Sequence, residues 1–300
     1  YGLNGTDFVV RQYNSERRAT GDGTVSNWEP VPADGVLKAG KGYIVQAANN
    51  TVNENGNSRL AVVRFPSRNT TSKNNLFTNR NIIVPLVEYP AEFAHNRSWN
   101  LVGNPYPCYY DMHSLLENFT APVILWRGSS YQAYSPVDDD IILRPNEAFF
   151  VQRPLDAENI VFGVEGRMDY TSANSNSSLT PGSRAPEVSG ISSRAVFNFN
   201  VEGCGSDDRT RVVINEEALA GYEAGRDASK FFAENSDAVE FYSISDTKYD
   251  ICERPLGDAE VRLGARFAKA GEYTISLSGK NIDGWKATLV DTVEEVETDL

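Results

Sequence analysis

The run Asp138-Asp139-Asp140 concentrates hard oxygen donors, the kind of ligand a calcium ion takes. The spaced D-x-D-x-D-G pattern of a calcium loop is missing, and consecutive acids on a hairpin usually face solvent. The expectation is therefore no metal, with Asp138 and Asp140 the only calcium candidates. Acid–base catalysis asks for two carboxylates, or a histidine with a partner, held in a cleft. Asp138 or Asp140 with Glu147 is the pair that would serve a polysaccharide-processing enzyme. His95 and His113 flank the segment Trp99–Asp111. Neither has a second ligand at i+2 or i+4, so both read as structural or exposed. No Gly-x-Ser-x-Gly, His-Glu-x-x-His, Cys-x-x-Cys pair or Walker loop occurs. Gly40-Lys41-Gly42 looks like a piece of a phosphate loop, but a strand follows it where a phosphate loop has a helix. The expectation is a protein without catalytic residues and without a cofactor.

Aromatic stacking is the other chemistry on offer. Tyr106-Pro107-Cys108-Tyr109-Tyr110-Asp111, together with Trp126, Tyr131 and Tyr134, could present rings to sugar faces. Tyr109, Tyr110, Trp126 and Tyr131 are the ligand-binding candidates. The competing reading is that these rings fill a core, where aromatic side chains supply much of the packing. Alternation along Tyr131-Gln132-Ala133-Tyr134 sends Tyr131 and Tyr134 to opposite faces.

The elements that position these residues are strands. Val36-Leu37-Lys38-Ala39-Gly40-Lys41-Gly42-Tyr43-Ile44-Val45-Gln46 returns as Ile142-Leu143-Arg144-Pro145-Asn146-Glu147-Ala148-Phe149-Phe150-Val151-Gln152. The offset is constant, so each copy predicts a turn entering a strand that carries an aromatic ring. Short β-branched or aromatic runs separated by Gly, Asn, Pro and Asp continue through Phe8–Arg11, Ala61–Phe65, Ile82–Val84, Trp99–Val102, Val123–Trp126 and Ile160–Phe162. Asp111–Glu117 and Asp227–Phe232 are the short helical candidates. Residues 172–194 are polar and Ser/Pro-rich and predict a linker. Beyond it, period-two alternation recurs in Val196–Val201, Arg209–Asn215, Val239–Ile244, Val261–Gly264, Tyr273–Leu277 and Trp285–Val290. The fold expected is all-β, with two β-sandwich-like domains: 1–171 with an imperfect internal repeat, and 195–300 as an Ig-like or jelly-roll sandwich.

Composition removes several function classes. The chain carries 28 Lys and Arg against 41 Asp and Glu, a net charge of −13 with no basic run. Nucleic acid and anionic membrane surfaces are bound through clustered Lys and Arg, so neither is an expected partner. No apolar stretch reaches the length of a bilayer span. The sequence begins at Tyr1 without a Met and reads as a piece of a longer protein. Of its cysteines, Cys204 and Cys252 lie close enough in sequence for one disulfide; two buried free thiols are the alternative. Cys108 reads as a packed thiol.

Several stretches resemble a family of modular surface proteins from gut Bacteroidetes, many of them described as cell-adhesion proteins. The residues that carry the resemblance are Trp99-Asn100-Leu101-Val102-Gly103-Asn104-Pro105-Tyr106-Pro107, the two aromatic-Val-Gln strands, Thr210–Glu216, Tyr222-Glu223, Arg226–Phe231, Glu253–Gly257 and Gly271–Ile275. The resemblance implies an exported, surface-attached, multi-domain protein, associated with the outer membrane through regions outside this chain. In relatives the last domain runs past a Thr-Asp-Leu like Thr298-Asp299-Leu300 into a final strand pair, which implies that the second domain is truncated here. The function expected is a non-catalytic adhesin, ligand-binding or spacer module whose partner is a glycan or a host or matrix protein. The alternative is a polysaccharide-processing enzyme or its carbohydrate-binding accessory region.

Overall fold

The structure is a computed structural model, and it describes residues 8–21, 26–32, 34–47, 80–115, 119–169, 194–233, 237–257 and 260–300. The expected strand Ala61–Phe65 and nearly all of the 172–194 segment lie outside these residues. The described chain is nearly all β, with a single α-helix. It divides into two compact units, residues 1–120 with 136–182, and residues 121–135 with 183–300. The expected first domain ran unbroken from 1 to 171. Residues 121–135 instead group with the second unit.

Strands are numbered along the chain. In the first unit, β1 (Phe8–Tyr13) pairs antiparallel with β2 (Trp28–Pro30) and β3 (Ile44–Ala47). Between β1 and β2 lies α1 (Ser15–Thr20), which starts where the Asn14 side chain accepts the Arg17 N–H and stops at Gly21 in the left-handed region. β4 (Ile82–Pro85) pairs with β11 (Asn159–Phe162), and β5 (Trp99–Gly103) with β10 (Ala148–Gln152). β6 (Tyr109–Asp111) lies between β9 (Ile142–Leu143) and β12 (Arg167–Met168). Trp99, Tyr110, Phe149 and Phe162 are buried in this unit's interior. The helix expected from Asp111 is a short 3₁₀ turn at Met112–Leu115, opened by the Asp111 carboxylate accepting the His113 N–H.

The internal repeat is a shared turn. The Lys41 N–H donates to the Lys38 carbonyl at 3.2 Å, and at the corresponding positions the Glu147 N–H donates to the Arg144 carbonyl at 3.1 Å. Gly40 and Asn146, also corresponding, have φ of 77° and 62°. Gly and Asn are the residues that adopt this conformation most readily. The copies then diverge, since Phe149 is fully buried and Tyr43 half-buried, its hydroxyl accepting the Lys38 N–H.

In the second unit, β7 (Val123–Trp126) and β8 (Tyr131–Tyr134) form a hairpin. A seven-stranded sheet follows in the order β18 (Arg262–Arg266), β16 (Glu240–Ile244), β17 (Lys248–Arg254), β14 (Ser206–Ile214), β13 (Ala195–Gly203), β19 (Tyr273–Lys280), with β15 (Ala228–Ser229) also on β17. β14 and β17 run parallel while the other pairs are antiparallel. Leu263 and Ala265 of β18 and Tyr273 and Ile275 of β19 pack against one cluster with Val201, Val239 and Phe241. Strands at opposite edges thus share a core, so the sheet curls over on itself in a sandwich-type arrangement. The helix expected at Asp227–Phe232 is absent; Ala228 and Ser229 extend beside β17. A second hairpin joins β20 (Thr288–Asp291) to β21 (Val296–Asp299).

Candidate functional site

The four aromatic candidates separate by unit and by burial. Tyr110 in the first unit is fully buried, stacked on Tyr106 at 5.8 Å and edge-on to Phe162 at 5.1 Å. Its hydroxyl accepts the Ser114 hydroxyl at 2.7 Å, and burial pushes its ionisation up to about 12. Tyr110 is a core residue and no ligand could reach it, which corrects the expectation. Tyr109, one residue away on β6, is half-buried. On the second unit's hairpin, Trp126 keeps 46% of its surface exposed and meets the half-buried Tyr131 edge-on at 4.8 Å. Tyr131 in turn meets Phe231 at 5.8 Å. Beside them the Arg127 guanidinium lies 4.6 Å over the Tyr134 ring and its Nε donates to the Tyr134 hydroxyl at 2.9 Å. The hairpin therefore presents an exposed indole on a braced aromatic step.

The acidic candidates do not converge. Asp138 is buried and Asp140 exposed, and among the described residues no three His, Cys, Asp or Glu side chains are placed to hold a metal ion. The Glu147 carboxylate accepts the Arg144 N–H at 2.8 Å and so closes the turn of the second repeat copy. His113 stands between two carboxylates, with Nδ1 3.3 Å from Asp111 and Nε2 3.6 Å from Asp140. A shallow depression in the first unit, lined by Glu88, Arg97, Ser98, Arg153, Pro154 and Leu155, opens to solvent and has room for little more than a water molecule.

Of the two alternatives for Cys204 and Cys252 the bridge does not form, and all three cysteines are free. Cys204 sits at the exposed β13–β14 turn with φ of 51°, whereas Cys252 is buried on β17 opposite Val212. Val212 is six residues along β14 from Ser206 at that turn, roughly 20 Å at ~3.3 Å per strand residue, and a disulfide needs α-carbons within about 7 Å. Burial pushes the Cys252 thiol up to about 12.

The most unusual chemistry lies inside the second unit, where Asp208, Asp227, Glu240, Asp250 and Glu253 are all buried. Each has a structural partner, as a buried charge requires. Glu253 is held by Arg194 at 2.7 Å, by Arg226 at 3.3 Å and by the Asn215 amide. Glu240 accepts the Ala233 N–H at 2.7 Å and pairs with Arg266. Asp227 accepts the Glu223 and Glu253 N–H groups, both at 2.7 Å; burial nevertheless pushes its carboxyl up to about 7.

Asp208 and Asp250 share Lys230. Its Nζ is 2.6 Å from Asp208 and 3.5 Å from Asp250, and the three side chains are 0–1% exposed. Asp208 Oδ2 also accepts the Phe241 N–H at 2.7 Å, and Asp250 Oδ2 accepts the Ala133 N–H at 2.8 Å. Lys230 Nζ also donates to the Tyr131 carbonyl at 3.4 Å. Burial drives both carboxyls toward their neutral forms, and their charges in turn hold the ammonium. Two acids against one base balance when one acid keeps its proton. These residues were not singled out from the sequence among so many acids. The available signal was a lone charge inside an apolar run, as in Ala228-Ser229-Lys230-Phe231-Phe232-Ala233 and Tyr249-Asp250-Ile251-Cys252. Comparison of the chain with family models, with curated proteins and with solved structures finds no match in any of the three.

Proposed function

We propose that this chain is a non-catalytic module of an exported cell-surface protein, and that it holds a glycan through the β7–β8 hairpin. The observation that carries the reading is Trp126, exposed by 46% and braced edge-on by Tyr131. A rigid ring offered to solvent is what stacks on the apolar face of a sugar, and Arg127 beside it supplies a donor for ring hydroxyls. The buried carboxyls of the second unit stand out of a polysaccharide's reach, which suits structural roles for them. Presentation on a host or matrix protein, or service as a spacer between domains, are the remaining forms of the same surface role.

A polysaccharide-processing enzyme is the second reading, and His113 between Asp111 and Asp140 is the observation that favours it. A panel of plant, host and microbial polysaccharides tests both. Retention of the soluble chain without new reducing ends or unsaturation is expected, and Trp126→Ala is expected to abolish retention while leaving the circular dichroism spectrum unchanged. Retention indifferent to Trp126→Ala would refute the stacking site. Turnover lost in His113→Ala or Asp140→Asn would establish the enzyme.

A further inference from the structure

Lys230 Nζ stands 2.6 Å from Asp208 Oδ2 in a pocket where neither side chain has any exposed surface. A nitrogen that close to a carboxyl oxygen is roughly 3–3.5 Å from the carboxyl carbon, the separation of a near-attack pair. The second carboxyl, Asp250, stands 3.5 Å from the same nitrogen with 1% exposure. Asp208 Oδ1 has no hydrogen-bond partner among the described residues, while Oδ2 faces the Phe241 N–H. An amine, a carboxyl carbon, a proton carrier and an oxyanion donor are thus enclosed together, shut off from water. An ordinary ion pair needs only the first two, and keeping it charged in such a place costs several kcal/mol per ion.

We propose that Lys230 and Asp208 condense spontaneously into an intramolecular amide, with Asp250 carrying the proton. The Lys230 ammonium first gives a proton to the Asp208 carboxylate, which leaves a neutral amine facing a neutral acid. The amine lone pair forms the N–C bond at Asp208 Cγ, and the carbonyl π pair moves onto Oδ2, where the Phe241 N–H meets the developing charge. Asp250, the acid that kept its proton, delivers it to the Oδ1 hydroxyl and takes one back from the new ammonium. The C–O bond breaks, the carbonyl re-forms and one water leaves. Asp250 ends as it began, and no oxidant, reductant or nucleotide is consumed. The product replaces a buried pair of charges by a neutral amide. It ties β14 to the residue after β15, and both strands pair with β17.

The measurement is the intact mass of the full chain, purified, folded by circular dichroism and held at neutral pH before denaturation. The expected mass is lower than that of the sequence by one water, and proteolysis should yield a branched peptide joining the Asp208 and Lys230 segments. Lys230→Arg keeps a buried cation and should restore the full mass, as should Asp208→Ala. Asp250→Asn is expected to fold and to form the link at least tenfold more slowly. Wild-type protein that is folded and retains its full mass would overturn the proposal, and so would a lost water that maps to any other pair. Linkage at the wild-type rate in Asp250→Asn would overturn the role given to Asp250.

Discussion

Asp227 makes the stability of the second unit depend on pH in a direction opposite to that of most paired carboxylates. Two effects compete at its carboxyl. The Glu223 and Glu253 N–H groups, each at 2.7 Å, favour the anion, while burial and the neighbouring Glu253 and Glu223 charges favour the acid. Burial wins, and the carboxyl rises from 3.8 to about 7. An unfolded chain releases this proton near the ordinary value. Between the two, the folded protein therefore binds a proton that the unfolded chain does not. Asp227 thus contributes stability that is fully present below the unfolded value and is lost as pH rises through about 7. A tenfold change in proton affinity is worth about 1.4 kcal/mol, which makes the whole interval worth about 4 kcal/mol. That is a large share of the roughly 5–15 kcal/mol by which a domain is usually stable. Urea unfolding of wild type and Asp227→Asn between pH 4.5 and 7.5, followed by fluorescence and circular dichroism, isolates the contribution. Asparagine has no proton to lose, and its NH₂ opposes one of the two N–H donors, which costs about 1–3 kcal/mol. The advantage of wild type over the variant should shrink steadily as pH rises. An advantage that is constant or grows with pH would refute the balance drawn for this group.

The two copies of the repeated turn should tolerate substitution differently. A Cβ on Gly40 would stand 2.3 Å from Val84 Cγ2 at a φ of +77°, so Gly40→Ala should cost at least about 1–3 kcal/mol in a thermal or urea melt. Asn146→Gly, at an exposed position with φ of 62°, should change stability by less than about 0.5 kcal/mol. In thiol titration without reductant, Cys204 should react in the folded protein, Cys252 should react only after unfolding, and the unfolded total should be three. A total of one would reinstate the disulfide.

How much the sequence disclosed followed from how each strand is buried. β19 alternates between half-buried and exposed residues as a strand with one wet face does, and β13 and β14 alternate in residue type although Ala195–Phe197 and Thr210–Val213 are buried on both faces; all three were legible. β17 was not, because Tyr249, Asp250, Ile251, Cys252 and Glu253 are all buried and a strand covered on both faces has no alternation to show. The same strand carries Asp250 and Glu253, whose charges read as surface until Lys230, Arg194 and Arg226 are seen against them. The repeat was legible because its turn demands particular residues, Gly40 and Asn146 among them. Which ring of each copy would be buried depends on what packs there, and short-range spacing does not encode that. Trp126 and Tyr110 look alike in sequence, as rings in short strands. Their separation into an exposed indole and a buried phenol came from tertiary packing alone.

The β7–β8 hairpin also sets an order of events during synthesis. Ala133 donates to Asp250 across 117 positions, and Lys230 reaches the Tyr131 carbonyl across 99. At roughly 5–20 residues per second, a ribosome delivers Asp250 roughly 6–23 s after Ala133, whereas a hairpin closes in about 1–10 μs. Residues 121–135 therefore emerge and pair long before the strands they serve exist, with their inward polar groups still held by water. The second unit closes only when its latest central strand arrives and takes up that waiting N–H. A gene cut at the Ser/Pro-rich segment would then produce a sheet whose buried Asp250 lacks its Ala133 donor, and whose Lys230 lacks its carbonyl. The smallest faithful piece of the second unit has to begin upstream of Ala121, carrying with it residues 136–182 of the first.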